Sequence, residues 1–122
     1  MKIASTIARY LLGLIFLTFG LNGFLHFIPM PPTGVAAQFV GALFVSRFYV
    51  VVFLLQIVPA VLLLANRYVP LALTILGAVI VNILCFHIFM APAGLPLAVV
   101  VTILWFLTAW RVRSAFTGIL QR

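Results

Sequence analysis

Long runs of apolar residues alternate with short polar or proline-rich breaks along this chain. The first run begins near Arg9 and ends at three closely spaced prolines, and later breaks fall at 66–68 and 91–96. A run of about 20 apolar residues is long enough to cross the hydrocarbon core of a bilayer as a helix. The pattern therefore predicts four membrane-spanning helices, at 6–27, 47–65, 69–90 and 97–113.

The connection between the first and second spans is long for a small helical protein. Its prolines prevent a helix at its start, but Thr33 can cap a short helix in which apolar residues recur every four positions around Phe39. We expect an interfacial or shallow re-entrant helix over residues 34–45, covering the outer end of the bundle. The predicted fold is thus all-α, an integral membrane four-helix bundle forming a single domain over residues 1–122.

Composition supports a membrane protein and excludes several kinds of chemistry. Hydrophobic residues make up 67% of the chain and charged residues only 6%, with no Asp or Glu. Soluble domains are about half apolar and about a quarter charged. Paired-carboxylate hydrolysis, oxygen-ligand Mg²⁺ or Ca²⁺ sites and carboxylate proton relays all need acidic side chains. Any chemistry here would have to use histidine, amide or thiol groups, a bound cofactor or a partner.

The basic residues lie singly near the ends of the apolar runs, which is typical of membrane orientation and not of a nucleic-acid-binding patch. With four spans, Arg47 alone falls on the outer side, and the positive-inside rule places both termini in the cytoplasm. We expect a multi-pass protein of a bacterial-type inner (plasma) membrane, in contact with the lipid bilayer and not with nucleic acid. The residues on the inner side are Lys2, Arg9, Arg67, Arg111, Arg113 and Arg122.

The first span has two chemically distinct faces. Thr18, Asn22 and His26 fall within an arc of about 80° on a helix. Small residues allow close helix approach and polar groups avoid lipid, so we expect protein contacts on both faces. The small-residue face consists of Gly13, Gly20 and Gly23.

Polar residues in the spans are candidates for one outward-facing pocket between the first three helices, roofed by the short helix. The alternative is that the amides only form hydrogen bonds between helices, worth about 0.6 to 2 kcal/mol each. Both interpretations remain open, and no catalytic residue or metal site is predicted. The candidate cofactor-binding residues are His26, Asn22, Gln56, Asn82 and His87.

Neutral imidazole is a common axial ligand, so one histidine could bind a haem or chlorophyll or contact a quinone. The alternative is an interfacial hydrogen-bonding role for each. His87 lies about 140° around its helix from Asn82, which argues against both histidines sharing one site at the centre of the bundle. If Asn82 faces the bundle, His87 faces lipid or a partner. Cys85 has no neighbouring cation or second cysteine, and we expect a buried, inert thiol.

The first span also carries the pattern Arg9-x3-Gly13-x2-Phe16-x3-Gly20, in a short basic chain of four apolar runs. In this it resembles the DoxX-like family, from about residue 7 to residue 116. The resemblance implies a four-helix membrane bundle associated with redox enzymes, as in membrane subunits of thiosulfate:quinone oxidoreductases. The chain departs from the family pattern at Gly23, where members often have lysine, and this favours an accessory subunit over an enzyme.

These observations favour a non-catalytic accessory subunit of a larger redox or electron-transport complex, respiratory or photosynthetic. A small quinone-binding or tetrapyrrole-binding redox protein of the DoxX type is the alternative, with His26, Asn22 and Gln56 as donors or ligands. A transporter is less favoured, because the spans offer no inverted repeat and no charged residue at the midplane.

Overall fold

The computed structural model describes residues 2–25 and 34–119, and within these ranges the chain forms helices, turns and no strand. The predicted all-α class is therefore confirmed. His26, the proline-rich connection and Arg122 lie outside the described residues. The α-helices are α1 (Lys2–Leu25), α2 (Gly34–Val45), α3 (Tyr49–Ala65), α4 (Val69–Phe89) and α5 (Leu95–Arg111), with short 3₁₀ helices at Pro92–Gly94 and Arg113–Phe116.

Three helical segments are long and apolar enough to cross a membrane: α1, α4, and α5 together with the 3₁₀ turn before it. Helix α3 has 17 residues, about 26 Å at 1.5 Å per residue, which is shorter than a hydrocarbon core of about 30 Å. Its 17 residues are at the lower end of the range for a membrane span, and it passes the length test only as a pair with α2, from which it is bent by 91°. The bend contains Arg47, whose φ of 63° is left-handed.

The four longest helices pack around one apolar core. Helix α1 contacts α3 and α5, and α4 contacts the same two helices, so the four form a ring. Each contributes buried side chains to this core, and the Trp105 indole of α5 donates a hydrogen bond of 2.8 Å to the Leu73 carbonyl of α4. The core residues are Leu12, Phe16, Ala60, Leu63, Val69, Ala72, Leu73, Leu76, Ile80 and Val101.

A tight turn at 66–68 joins α3 to α4. Asn66 adopts a left-handed φ of 56°, and its backbone N–H donates to the Leu63 carbonyl while that of Arg67 donates to Leu62. Asparagine tolerates this conformation, and the two bonds satisfy carbonyls in the last turn of α3. Helices α3 and α4 therefore form a hairpin of adjacent helices, because so short a turn leaves no other path.

Most of the cationic side chains lie at one end of the four-helix ring. Helices α1 and α3 run antiparallel, since Gly13 lies beside Leu64 and Gly23 beside Phe53. The start of α1, the 66–68 turn and the end of α5 therefore share an end, and the Arg111 guanidinium donates to the Thr6 hydroxyl at 3.0 Å. Arg47 lies at the opposite end, between α2 and α3.

Candidate functional site

The residues of the Arg9-to-Gly20 pattern lie on the side of α1 that faces α3 and the core. The Arg9 guanidinium donates to the Leu63 carbonyl near the end of α3. A Cβ added to Gly13 would lie 2.9 Å from Leu64 Cγ, and one added to Gly20 would lie 2.6 Å from Ile57 Cγ1. These positions serve close packing of α1 on α3, as expected for a small-residue face.

The same contact between α1 and α3 requires a residue without a side chain at position 23. A Cβ at this position would overlap the Phe53 ring of α3. That ring also packs against Phe24 and Phe44, with ring centroids 6.2 and 6.4 Å apart. A lysine at position 23 would therefore require the aromatic cluster to move. The direct cause of the glycine is steric.

The polar face of α1 lies on the side away from α3. Thr18 is exposed, and Asn22 is half-buried. His26 lies outside the described residues. Within this chain α3 and α5 pack against other sides of α1, so the protein contact expected on the polar face stays a prediction at Thr18.

Gln56 is the candidate residue that the fold buries most completely. Its side chain is 7% exposed and belongs to α3, where its Cβ lies 3.4 Å from the Cβ that Gly20 would carry. In the described part of the chain no hydrogen bond engages its amide. The Gln56 amide is not among the fully buried polar atoms without partners, so it keeps some accessible surface and offers a donor and an acceptor to a ligand.

Asn82 lies on the side of α4 that faces away from the core. It is exposed, and its Nδ2 donates only to the Ala78 carbonyl one turn earlier, at 3.0 Å. At 100° per residue it lies about 180° from Leu73, which is fully buried in the core. The outer stripe of α4 comprises Thr74, Ala78, Asn82 and Cys85, all exposed.

The expected burial of Cys85 is thus wrong, because the thiol shares the exposed side of α4 with Asn82. An exposed side chain on this helix lies outside the core contacts made by Leu76 and Ile80.

His87 faces the helix bundle, which is the direction that the sequence pattern favours for Asn82. Its ring is half-buried, Nδ1 lies 3.1 Å from the Ala91 carbonyl, and the ring meets Phe86 edge-on at 5.2 Å between centroids. It also covers Gly94, where any side chain would overlap the imidazole. The expected separation of the two residues stands, but Asn82 is the one that faces away.

The predicted candidates are therefore dispersed among the described residues. Gln56 is buried on α3, Asn82 is exposed on α4, and His87 packs against the turn before α5. These three share no hydrogen bond with one another in the part of the chain described. Within that part, no group of three His, Cys, Asp or Glu side chains is placed to hold a metal ion.

A cavity that the pattern does not predict lies at the cationic end, between the start of α1 and the end of α5. Its volume is about 250 Å³. The sequence signal is the aromatic residue followed by two arginines after the last apolar run, but nothing in the sequence places α1 beside them. The lining residues are Lys2, Ser5, Trp110, Arg111 and Arg113.

No protein-family model, curated protein or solved structure matches this chain. The resemblance to the DoxX-like family therefore stays a hypothesis that rests on the α1 pattern and the run lengths.

Proposed function

We propose that this chain is a non-catalytic integral membrane subunit of a larger assembly. In this proposal α1, α3, α4 and α5 all span the membrane as a four-helix bundle. Helix α2, bent by 91° from α3, lies at the outer surface. The collection of the inner-side cations at one end supports an orientation with both termini in the cytoplasm.

The observation that carries the proposal is the exposed carboxamide of Asn82. It lies about 20 Å along α4 from Val69 and about 10 Å from Phe89, which is within the hydrocarbon if α4 spans the membrane. An amide has two N–H donors and an acceptor oxygen, and the contact with Ala78 uses only one donor. Polar groups left unsatisfied in lipid cost several kcal/mol, so a partner helix against the outer stripe would relieve that cost.

The class of partner is proposed from the resemblance of α1 to the DoxX-like family. It is a redox or electron-transport complex, respiratory or photosynthetic, in a bacterial-type inner membrane. The lack of acidic side chains agrees with a subunit that supplies contacts and leaves the reaction to its partners.

Replacing Asn82 with leucine is expected to lower recovery of partner subunits by about fivefold to thirtyfold, since interhelical hydrogen bonds contribute about 1 to 2 kcal/mol. The measurement is purification of the tagged full chain from native membranes in mild detergent, with mass spectrometry of stoichiometric partners. The matched control is Gln38→Leu, which removes an exposed amide from α2. Equal recovery with wild-type chain and Asn82→Leu would contradict the proposed interface.

Cys85 allows a direct test of what covers the stripe, because it is the only cysteine of the chain and lies one turn beyond Asn82. If another subunit covers the stripe, oxidative cross-linking in native membranes should produce no homodimer linked through Cys85. A disulfide-linked dimer recovered without other subunits would refute the accessory role and assign the stripe to a second copy.

Gln56 favours a second candidate function, the binding of a quinone or tetrapyrrole between α1 and α3. A quinone carbonyl could accept from the Gln56 amide, with Asn22 of α1 as a further group and His26 as a candidate from the sequence. We expect Gln56→Leu to abolish copurification of such a molecule and to leave the free energy of unfolding unchanged or higher, because no described hydrogen bond is lost.

The measurement for this second candidate is lipid extraction and chromatography of natively purified protein, with a visible spectrum to detect a Soret band. Gln38→Leu again serves as the control. A ligand that persists in Gln56→Leu, or a strongly destabilised variant, would contradict the assignment.

A further inference from the structure

The cavity at the cationic end has the chemistry of an anion site. Lys2, Arg111 and Arg113 line it together with the Trp110 ring. No Asp or Glu exists in the sequence to neutralise them. Three cations held around one cavity repel one another unless an anion lies among them, and no side chain of this protein can supply that anion.

The arginines are already held in place by contacts that leave most of their donors available. Arg111 donates one N–H to the Thr6 hydroxyl at 3.0 Å. Arg113 donates one to the Trp110 carbonyl at 2.7 Å, and its guanidinium lies over the Trp110 ring at 4.4 Å. Each guanidinium carries five N–H donors in a planar fork suited to phosphate oxygens. Preorganised guanidinium groups lose little further freedom when an anion binds.

Ser5 supplies an independent indication of a ligand. Its side chain is 2% exposed, and its Oγ is the buried side-chain polar atom without a hydrogen-bond partner in the described residues. The residue lines the cavity, in the first turn of the 24-residue helix α1. The positive end of that helix dipole adds to the attraction of an anion. A buried hydroxyl without a hydrogen-bond partner lowers the stability of the protein unless a ligand accepts a hydrogen bond from it.

We propose that this cavity binds the phosphate group of an anionic lipid headgroup. A phosphate carries acceptor oxygens for both guanidinium groups and for the Ser5 hydroxyl. The Lys2 ammonium adds a point charge at the cavity wall. The site lies at one end of helices that are long enough to cross a bilayer, and Trp110 lies beside it. Tryptophan rings are enriched at the depth of the lipid headgroups, so the site lies at that depth. This inference does not depend on the identity of any partner subunit.

The test uses the full chain in mixed vesicles, with tryptophan quenching by acyl-brominated phosphatidylglycerol compared with acyl-brominated phosphatidylcholine. Wild-type chain is expected to prefer phosphatidylglycerol by at least about tenfold, as several charge-assisted hydrogen bonds would give. The double variant Arg111→Gln with Arg113→Gln should abolish that preference. The matched control is Arg47→Gln with Arg67→Gln, which removes the same charge outside the cavity and should retain it.

Ser5→Ala separates a ligand role from a structural one, because it removes no charge and no existing hydrogen bond. We expect the preference for phosphatidylglycerol to fall by about threefold, the effect of one hydrogen bond. The thermal midpoint in phosphatidylcholine vesicles should stay equal or rise. A lower midpoint with unchanged lipid preference would assign Ser5 to packing and overturn its ligand role.

Inorganic phosphate, added to the same vesicles, distinguishes the source of the phosphate. A preference unaffected by millimolar phosphate supports a lipid headgroup. Displacement of the brominated phosphatidylglycerol by phosphate would overturn the lipid assignment in favour of a soluble phosphate. A preference that both double variants lose equally would overturn the site itself, because general surface charge would then explain the binding.

Discussion

Replacing Gly23 with alanine is expected to lower the free energy of unfolding by about 2 to 3 kcal/mol, the cost of overpacking a closely packed contact. The added methyl would overlap the Phe53 ring. That ring cannot move freely, since Phe24 and Phe44 pack against it. The measurement is a denaturation titration of detergent-purified protein, followed by helical circular dichroism.

Gly41→Ala is the matched control for this substitution. Gly41 is also helical and is exposed on α2, and nothing lies within 4 Å of the Cβ that it would gain. Alanine is the better helix former there, so stability should be unchanged or higher by up to about 1 kcal/mol. Combining Gly23→Ala with Phe53→Leu should recover part of the loss, because the smaller side chain leaves room for the methyl. Equal effects of Gly23→Ala and Gly41→Ala would show that α1 and α3 do not meet at Gly23.

Replacing Arg9 with leucine is expected to lower the free energy of unfolding by about 1.5 to 3 kcal/mol, the range for hydrogen bonds to charged groups. Arg9 donates to the Leu63 carbonyl in the last turn of α3, where a cation also interacts favourably with the helix dipole. Leu63 belongs to the fully buried core, so the bond ties the end of α3 to the start of α1. The same denaturation titration measures the loss.

Arg67→Leu is the control, because it removes one positive charge from the exposed turn at the same end of the molecule. Surface substitutions of this kind change stability by about 0.5 kcal/mol or less. Arg9→Lys should fall between wild type and Arg9→Leu, since lysine keeps the charge but lacks the planar fork. A loss for Arg67→Leu as large as that for Arg9→Leu would assign the effect to net charge and not to the contact with Leu63.

The helical class and most helix limits follow from local chemistry. Run lengths and breaks predict helices near 47–65, 69–90 and 97–113, and the structure has them at Tyr49–Ala65, Val69–Phe89 and Leu95–Arg111. Helix α1 begins at Lys2, four residues before the predicted start. A polar or charged residue at a helix end does not stop the helix, so hydrophobicity alone places that limit poorly.

The sequence does not predict which face of each helix points towards the core. Helix α4 is apolar nearly all round, so periodicity carries little information about which side meets the core. The angle between Asn82 and His87 can be calculated from the helical repeat, but its absolute direction depends on Leu73, Leu76 and Ile80 packing inward. This is why Asn82 and Cys85 are exposed although the pattern favours a buried polar stripe.

By itself the sequence determined an all-helical chain with helices long enough to cross a membrane, because apolar run length and proline position act locally. It also determined that no acidic side chain balances the cations. Only the tertiary structure decided which residues meet. The antiparallel packing of α1 on α3 sets Gly23 against Phe53, and the closure of the ring by α5 brings Arg111 to Ser5. Contacts between residues about 100 positions apart depend on how helices pack, and the period of a single helix does not contain that information.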